Sequence, residues 1–529
     1  MMKRIVQFGL LVLLLAHGTC PFFLRGEDGN PFVSDNPFQI KNRIDEILVE
    51  SLRRKNMEPA PLCRDEIFVR RVYLDVIGTL PTAQEVLAFL EDTGTDKRSR
   101  LINTLLERDE FADYWAMKWS DLLRVKAEFP VNLWPNGAVT YYRWIHQSIR
   151  SNKPYNQFVR ELLTTDGSNF REGASNFYRA VTARDPETLA ETVAQTFLGY
   201  QTASWPEAKQ KELTVFFSRI GYKETAQWKE EIVFWTHQPL DSQDVVFPDG
   251  TKGTVLPDQD PRQVFTDWLV SPDNSAFHRA IANRIWYWLF GYGLVDPDHI
   301  RDDQPPVHPE LLDYLSRELA EAGYDLKHLS RLILNSAAYQ QSSLSRKDTG
   351  TEVVWFASYP IRRLEAEVLQ DALSQVFNVP VSYQSEVPEP FTNIPARYRT
   401  ISLPDTSVTN TFLETFGRTT RDTGLETDRN NNITESQQLF LLNSTEVNTW
   451  IQKFVANRRI NGQVFNGQRS SDRRQLLDDI WLTILSRRPT QAELNLVAEE
   501  FRDRTGNQEQ TLQDLVWALL NSREFLCKH

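Results

Sequence analysis

Hydrophobic residues recur at intervals of three and four along most of the chain, which is the spacing of amphipathic helices. The stretch 38–57 is the first to show it, through Ile40, Ile44, Ile47 and Leu48. The exception is 231–257, where the apolar stretches IVFW and VVFPDGTKGTVL flank the turn-forming pair Asp249-Gly250. The pattern predicts a mainly α, multi-helical protein with a small β-hairpin insertion.

One arrangement of apolar residues occurs three times in the chain. Each copy places three apolar residues on one helical stripe and an aromatic residue after a break. The copies are Leu101, Leu105, Leu106 and Phe111; Leu329, Ile333, Leu334 and Tyr339; and Leu515, Leu519, Leu520 and Phe525. A helix-loop-helix unit of this size cannot bury its stripe alone, so we expect these internal repeats to pack on neighbouring helices.

Helix start signals accompany the repeats. Thr82 with Glu85 and Thr490 with Glu493 have the spacing of a capping box, in which each partner satisfies a free N–H group of the other. We expect two packed domains, an N-terminal one over 38–258 and a C-terminal one over 259–529.

The first residues have the pattern of an export signal. Lys3 and Arg4 precede an apolar run from Ile5 to Ala16, which is too short to span a bilayer but suits a signal peptide over 1–19. Cys20 adds the alternative of a lipid anchor. The sequence therefore predicts an exported protein, periplasmic or associated with the cell envelope, whose membrane contact is limited to the signal peptide or that anchor.

The net charge limits the kinds of partner that the chain can bind, and the cysteine content limits its possible disulfide bridges. The chain of 529 residues has a formal net charge of -12, so it offers no broad basic surface for nucleic acid. Beyond Cys20 only Cys63 and Cys527 remain. In an oxidising compartment these two could form a bridge, or they could stay as unpaired, half-buried thiols.

The aromatic segment 282–298 is the first candidate binding site. Asn283, Arg284 and Trp286 place a ring beside polar groups, and such a ring can stack on the CH face of a pyranose. The apolar residues of the segment also recur at helical spacing, which favours a helix in the core.

The Asp-Pro-rich loop that follows is a weak metal candidate. Asp298, His299, Asp302 and Asp303 could supply several ligands to a hard cation, but their spacing fits no calcium loop. Loops of this composition more often turn and face water, so we expect no bound metal.

The segment 412–443 is the third candidate. Arg418, Arg421, Glu426, Asp428 and Arg429 could bind a carboxylate or sulfate through arginine forks, or could form an internal ion-pair network that holds the loop. Thr434 and Gln437 then predict a capped helix, whose LFLL run we expect to be buried. The sequence has no G-x-S-x-G elbow, P-loop, H-E-x-x-H or Rossmann glycine run, so enzymatic activity stays open.

Several long motifs resemble one pair of families. They are LCRDEIFVRRVYLDVIGTLPTAQEV (62–86), DYWAMKWSDLLRVK (113–126), SPDNSAFHRAIANRIWYWLFGYGLVDP (271–297), HPELLDYLSRELAEAGYDLKHLSRLILNSAAYQQSS (308–343) and RRLEAEVLQDAL (362–373). The chain resembles, from about residue 40 onward, the paired planctomycete cytochrome-associated domains, the domains of unknown function numbered 1549 and 1553. The resemblance implies an exported protein from bacteria that degrade sulfated polysaccharides, often joined to a c-type cytochrome domain, with no established activity.

Two departures from the family pattern bear on cofactors. Many relatives carry C-x-x-C-H where this chain has GYQTASWPEAKQ (199–210), and often a Cys-x-Cys stretch where it has Gly424 to Thr427. Covalent c-type haem needs two thiols and a histidine, and neither segment supplies them. We therefore expect no haem and no other cofactor.

These observations favour a non-redox binding or scaffold protein of the cell envelope, with a polysaccharide or an envelope protein as partner. One alternative is a hydrolase that acts on a polysaccharide or its sulfate ester through the segments 283–303 and 418–429. The other is a docking partner of a separate c-type cytochrome.

Overall fold

The structure is a computed structural model, and it describes residues 31–32, 36–237, 241–301, 304–344, 353–394, 398–458, 470–503 and 508–529. The predicted signal peptide and Cys20 lie outside these residues. None of the described helices is both long enough and apolar enough to cross a bilayer.

Helices dominate the first half of the described chain. They are α1 (Arg43–Arg54), α2 (Asp65–Val76), α3 (Ala83–Glu91), α4 (Lys97–Leu106), α5 (Asp109–Leu122), α6 (Pro135–Arg150), α7 (Tyr155–Thr164), α8 (Pro186–Leu198) and α9 (Glu207–Thr214).

The second half is also mainly helical. Its helices are α10 (Pro261–Leu269), α11 (Ser275–Phe290), α12 (Pro309–Glu321), α13 (Leu326–Leu334), α14 (Ala337–Gln340), α15 (Ala366–Phe377), α16 (Thr411–Thr415), α17 (Glu435–Asn443), α18 (Thr445–Ala456), α19 (Ser470–Leu485), α20 (Gln491–Asp503), α21 (Gln508–Leu520) and α22 (Arg523–Leu526). The prediction of a mainly α fold is confirmed.

The strands form small antiparallel sheets. They are β1 (Gly167–Ser168), β2 (Ile220–Glu224), β3 (Glu231–Trp235), β4 (Gln243–Val246), β5 (Lys252–Val255), β6 (Arg362–Arg363) and β7 (Cys527–Lys528). β4 and β5 pair around Gly250, whose φ of 86° suits the predicted turn. The IVFW stretch does not flank that turn as predicted. It lies in β3, which pairs with β2 on one side and β1 on the other.

Each predicted repeat is a helix, a break and an aromatic residue in the next helix. The aromatic residues Phe111, Tyr339 and Phe525 fall in α5, α14 and α22, and all three are buried. The hydroxyl of Ser336 caps α14 by accepting the main-chain N–H of Tyr339, and the hydroxyl of Ser522 caps α22 by accepting that of Phe525.

Adjacent arginines on α2 connect these repeats. Arg70 donates to the main-chain oxygen of Phe525 at 3.0 Å, and Arg71 donates to that of Tyr339 at 2.6 Å. One hydrophobic cluster of buried side chains runs from Ile44 to Phe525 and so includes residues from both predicted domains.

Other local predictions had mixed outcomes. The capping boxes of Thr82 and Thr434 are present. Only Leu441 of the LFLL run is buried, whereas Leu439 is 55 % exposed, so the expectation that this run is buried was wrong. Cys63 and Cys527 are free thiols, and both are buried.

Candidate functional site

The segments 283–303 and 418–429 meet inside the protein. Nη1 of Arg284, on α11, lies 2.9 Å from Oε1 of Glu426, and the indole N–H of Trp288 donates to the same oxygen at 2.8 Å. The carboxylate of Asp298 accepts the main-chain N–H groups of Glu426 and Thr427, each at 2.9 Å. Burial raises the pKa of Glu426, and the charge of Asp298 adds to that effect against the opposing Arg284.

The three predicted arginines of the 418–429 segment form a second cluster. Asp121, on α5, accepts from Nε of Arg421 at 2.8 Å and from Nη2 of Arg429 at 2.5 Å. Glu367, on α15, accepts from Nη1 of Arg429 at 2.6 Å and lies 3.3 Å from Nε of Arg418. Each guanidinium group already faces a carboxylate, and all three arginines are largely buried. The cluster therefore attaches the segment 418–429 to α5 and α15.

The remaining predicted residues have local partners. Trp286 is fully buried and stacks on Phe290 with ring centroids 4.2 Å apart, so it offers no open face to a sugar. The side-chain amide of Asn283 donates to the main-chain oxygen of Val295 and accepts its N–H. Asp428 accepts a hydrogen bond from the hydroxyl of Thr423 at 2.6 Å.

The weak metal candidates are not assembled into a site in the part of the chain that the structure describes. Asp298 is occupied by two main-chain N–H groups, as stated above, and Asp302 and Asp303 lie outside the described residues. Among the described residues no group of three or more His, Cys, Asp or Glu side chains could hold a metal ion.

The segment 199–210 packs against the same loop. Gly199 ends α8 with a φ of 70°, and its main-chain oxygen accepts the N–H of Ile300 at 2.8 Å. Gln201 donates to the main-chain oxygen of Asp298. Since Asp298 also binds the N–H groups of residues 426 and 427, the segments 199–210 and 424–427 adjoin one loop.

A third buried network was not predicted. Asp75, on α2, accepts from Arg362 at 2.6 Å and lies 3.1 Å from the ammonium of Lys528. Glu365 lies 3.2 Å from Nζ of Lys118 and 3.1 Å from Nζ of Lys528. Burial opposes ionisation of Glu365, but the surrounding cations, Lys528 first, hold its pKa well below the usual range. Charged residues on the otherwise apolar α2 were the signal that could have predicted such a network.

Three aromatic side chains form an exposed group that sequence reasoning also missed. This aromatic patch consists of Trp134, Trp228 and Phe391, whose ring centroids lie 4.9 to 5.6 Å apart. Trp228 is 61 % exposed and Phe391 is 43 % exposed. Nζ of Lys229 lies 5.3 Å from the ring centroid of Trp134 and 5.8 Å from that of Trp228. The residues come from three loops that are far apart in sequence, so no local motif marks the patch.

A cleft of about 730 Å³ lies at the opposite end of β3. This hairpin cleft is lined by Thr164, Asp166, Trp235, Leu256, Pro257, Asp258, Gln259, Asp260, Arg262 and Gln263. It combines an aromatic ring, carboxylates, amides and a buried guanidinium.

Comparison with known families identifies two domains. Residues 43–204 match PSCyt2, a protein family of unknown function (DUF1549), and residues 261–501 match PSD1, another (DUF1553). No curated protein and no solved structure shows a significant match to the chain. The matches confirm the resemblance predicted from the long motifs. The chain thus belongs to the proteins that carry the PSCyt2 and PSD1 domains of unknown function as a pair.

Proposed function

We propose that this protein is an exported, cell-envelope protein that binds a polysaccharide and carries no haem of its own. The observation that supports this role is the aromatic patch. Three rings in mutual contact, with Trp228 and Phe391 exposed, provide flat apolar faces at the surface, and flat apolar faces suit the CH faces of pyranose rings.

The backbone around the patch supports a functional role. Trp134 has φ 65° and ψ 146°, a conformation that is unfavourable for a bulky side chain, and Lys229 has φ 62°. Such strain costs on the order of 1–3 kcal/mol at each residue and is most often found at functional sites. The surrounding structure must therefore impose this backbone conformation, which fixes the position of the Trp134 ring.

The size of the patch favours a polysaccharide over an envelope protein. An aromatic side chain buries about 150–250 Å² in total, and these three are already partly covered. A stable protein interface needs about 800 Å² from each partner. Three ring faces fall short of that area but are enough for a short stretch of sugar chain.

The hydrolase receives less support than polysaccharide binding, and a cytochrome partner would be recognised by the salt dependence of its binding. The carboxylates of Glu426 and Asp298, on which the hydrolase would depend, are held in the protein interior by Arg284 and by main-chain N–H groups. A cytochrome would dock through acidic surface, and its binding would weaken with salt.

Retention on immobilised polysaccharides tests the proposal. Purified protein is passed over cellulose, chitin, agarose, alginate and carrageenan, beside the variants Trp228→Ala and Phe391→Ala. We expect at least one matrix to retain the wild type and each variant to bind about fivefold more weakly, since a lost ring contact is worth on the order of 1 kcal/mol.

Phe129→Ala is the matched control. Phe129 is 84 % exposed and lies outside the three-ring patch, so its loss should leave retention unchanged. Retention by none of the matrices, or equal losses in all three variants, would overturn the proposal. Cell fractionation tests export: the full chain should appear outside the cytoplasm, and a chain lacking 1–19 should stay inside.

A further inference from the structure

We propose that the hairpin cleft is a second ligand site, which takes a single neutral saccharide unit. This inference goes beyond the proposed function because the cleft and the aromatic patch share no residue. The two lie at opposite ends of β3, with Trp228 before its first residue and Trp235 at its last.

The cleft has the size of a ligand site. Its volume of about 730 Å³ falls within the range of about 300–1,000 Å³ that is typical of small-molecule sites. It is bounded by the end of α7, the end of β3 and the start of α10. All three elements contribute residues to the packed core, and the loop 256–260 supplies the remaining lining.

A fixed ion cluster forms its base. The guanidinium of Arg262, only 2 % exposed, donates through Nε and Nη2 to the carboxylate of Asp260. Nη2 also donates to Oδ1 of Asp166 at 2.7 Å. Asp166 uses its other oxygen to accept the main-chain N–H of Trp235 at 3.3 Å. The polar groups of the cleft are thus held in place before any ligand arrives.

Around the cleft there are hydrogen-bond donors and acceptors that the protein itself does not pair. Nη1 of Arg262 and the indole N–H of Trp235 are buried donors that find no acceptor among the described residues. A buried donor without a partner is unfavourable. On the acceptor side, the Asp166 side chain is 47 % exposed, and the exposed Asp258 borders the same space.

This combination selects for hydroxyl groups. A hydroxyl both donates and accepts, so it can donate to an open carboxylate and accept from the side-chain amides of Gln259 and Gln263, which line the same space. An anionic group would meet Asp166 and Asp258, since Asp260 and Asp166 already neutralise Arg262. A cationic group would pair with Asp166 or Asp258 but would leave the amide donors of Gln259 and Gln263 without an acceptor. The half-buried ring of Trp235 adds an apolar surface, as sugar CH groups require.

Fluorine NMR can detect binding at the hairpin cleft and at the aromatic patch separately in one protein. The chain has 14 tryptophans, and 5-fluorotryptophan labelling gives each a signal. Trp235→Phe and Trp228→Phe identify the signals of the cleft and of the aromatic patch. The probes are methyl α-glucoside, methyl β-galactoside, maltose and cellobiose, with glucose 6-sulfate and glucosamine as charged counterparts.

We expect at least one neutral sugar to shift the Trp235 signal in a saturable way, and glucose 6-sulfate, which Asp166 and Asp258 repel, to bind at least tenfold more weakly. Asp166→Asn should weaken that binding severalfold. Gln263→Trp places a large ring in the cleft from an exposed position on α10 and should abolish sugar binding there. This second variant tests the site even if Asp166→Asn disturbs folding. Asp267→Asn is the control, because Asp267 lies on the same helix outside the cleft.

Three results would overturn the inference: no neutral sugar shifts the Trp235 signal, the sulfate ester binds more tightly than its neutral parent, or Gln263→Trp leaves the shift unchanged. The Trp228 signal and the retention on polysaccharide matrices report on the proposed function alone. Failure at the cleft with retention intact therefore rejects only the second site.

Discussion

Replacing Glu367 with glutamine tests whether the buried cluster holds the protein together. The Glu367 carboxylate is fully buried and accepts from both Nη atoms of Arg429, at 2.6 and 3.1 Å, with Arg418 at 3.3 Å. Glutamine keeps the size of the side chain but turns one acceptor oxygen into an NH₂ donor. Arg418 then loses the carboxylate that it faces, and Arg429 loses one of its two.

The pKa of Glu367 gives the expected change in the free energy of unfolding. Burial raises the pKa of Glu367, but Arg429 and then Arg418 outweigh it, so the pKa falls from its ordinary 4.5 to about 2. A tenfold change in an equilibrium constant corresponds to about 1.4 kcal/mol, so the lowered pKa stabilises the folded state by about 3 kcal/mol at neutral pH. Removing one partner of a buried ion pair elsewhere costs about 3–5 kcal/mol. We expect Glu367→Gln to lower the free energy of unfolding by about 3 kcal/mol.

Chemical denaturation at a series of pH values is the assay. A carboxylate whose pKa is lowered on folding stabilises the fold above its unfolded-state pKa and loses that effect as the pH falls through the folded-state pKa. The difference between wild type and variant should therefore be complete at neutral pH and fall below half by about pH 3.

The control is Glu46→Gln, which removes an exposed ion pair with Arg43 and should change little. The reasoning is refuted if Glu367→Gln costs no more than this control. It is also refuted if the difference stays constant as the pH falls.

Three smaller experiments test whether the protein binds haem, whether a side chain is tolerated at Gly199, and whether Arg71 can be replaced by lysine. Purified protein should show no Soret absorption, because 199–210 contains neither cysteine nor histidine; a stoichiometric band would contradict this. Gly199→Ala should lower the melting temperature, since its φ of 70° disfavours a side chain by about 1–2 kcal/mol and the new Cβ would lie 2.7 Å from Ile300; an unchanged melting curve would count against it. Arg71→Lys should lower the free energy of unfolding by about 2 kcal/mol, because an ammonium cannot reproduce a fork that donates to several main-chain oxygens. The exposed Arg53→Lys should show no such loss in the same denaturation series.

Local features of the fold were predictable because their causes lie within a few residues. The hydroxyl of Thr82 and the carboxylate of Glu85 cap the start of α3 across three positions. The three repeats were recognisable because each apolar stripe lies on one helix. The strand pairing of β3 was missed because its partners β1 and β2 lie outside the predicted hairpin, and β1 is a two-residue strand without an alternating pattern.

The candidate site was predictable only in part. Sequence reasoning named Arg421 and Arg429 and left open whether they bind an external anion or an internal partner. The carboxylate that both contact belongs to Asp121, about 300 positions away. No local spacing marks such a partner, so the pattern alone could not choose.

The sequence by itself determined the helical architecture, the caps, the repeats and the family, because periodicity and capping act between near neighbours along one helix. Only the tertiary structure decided which side chains meet solvent. Trp286 and Trp228 are chemically alike, yet the first is buried beneath neighbouring helices, while the second stands on a turn beside Trp134 and Phe391. Burial depends on the elements that pack around a residue, and these come from distant parts of the chain.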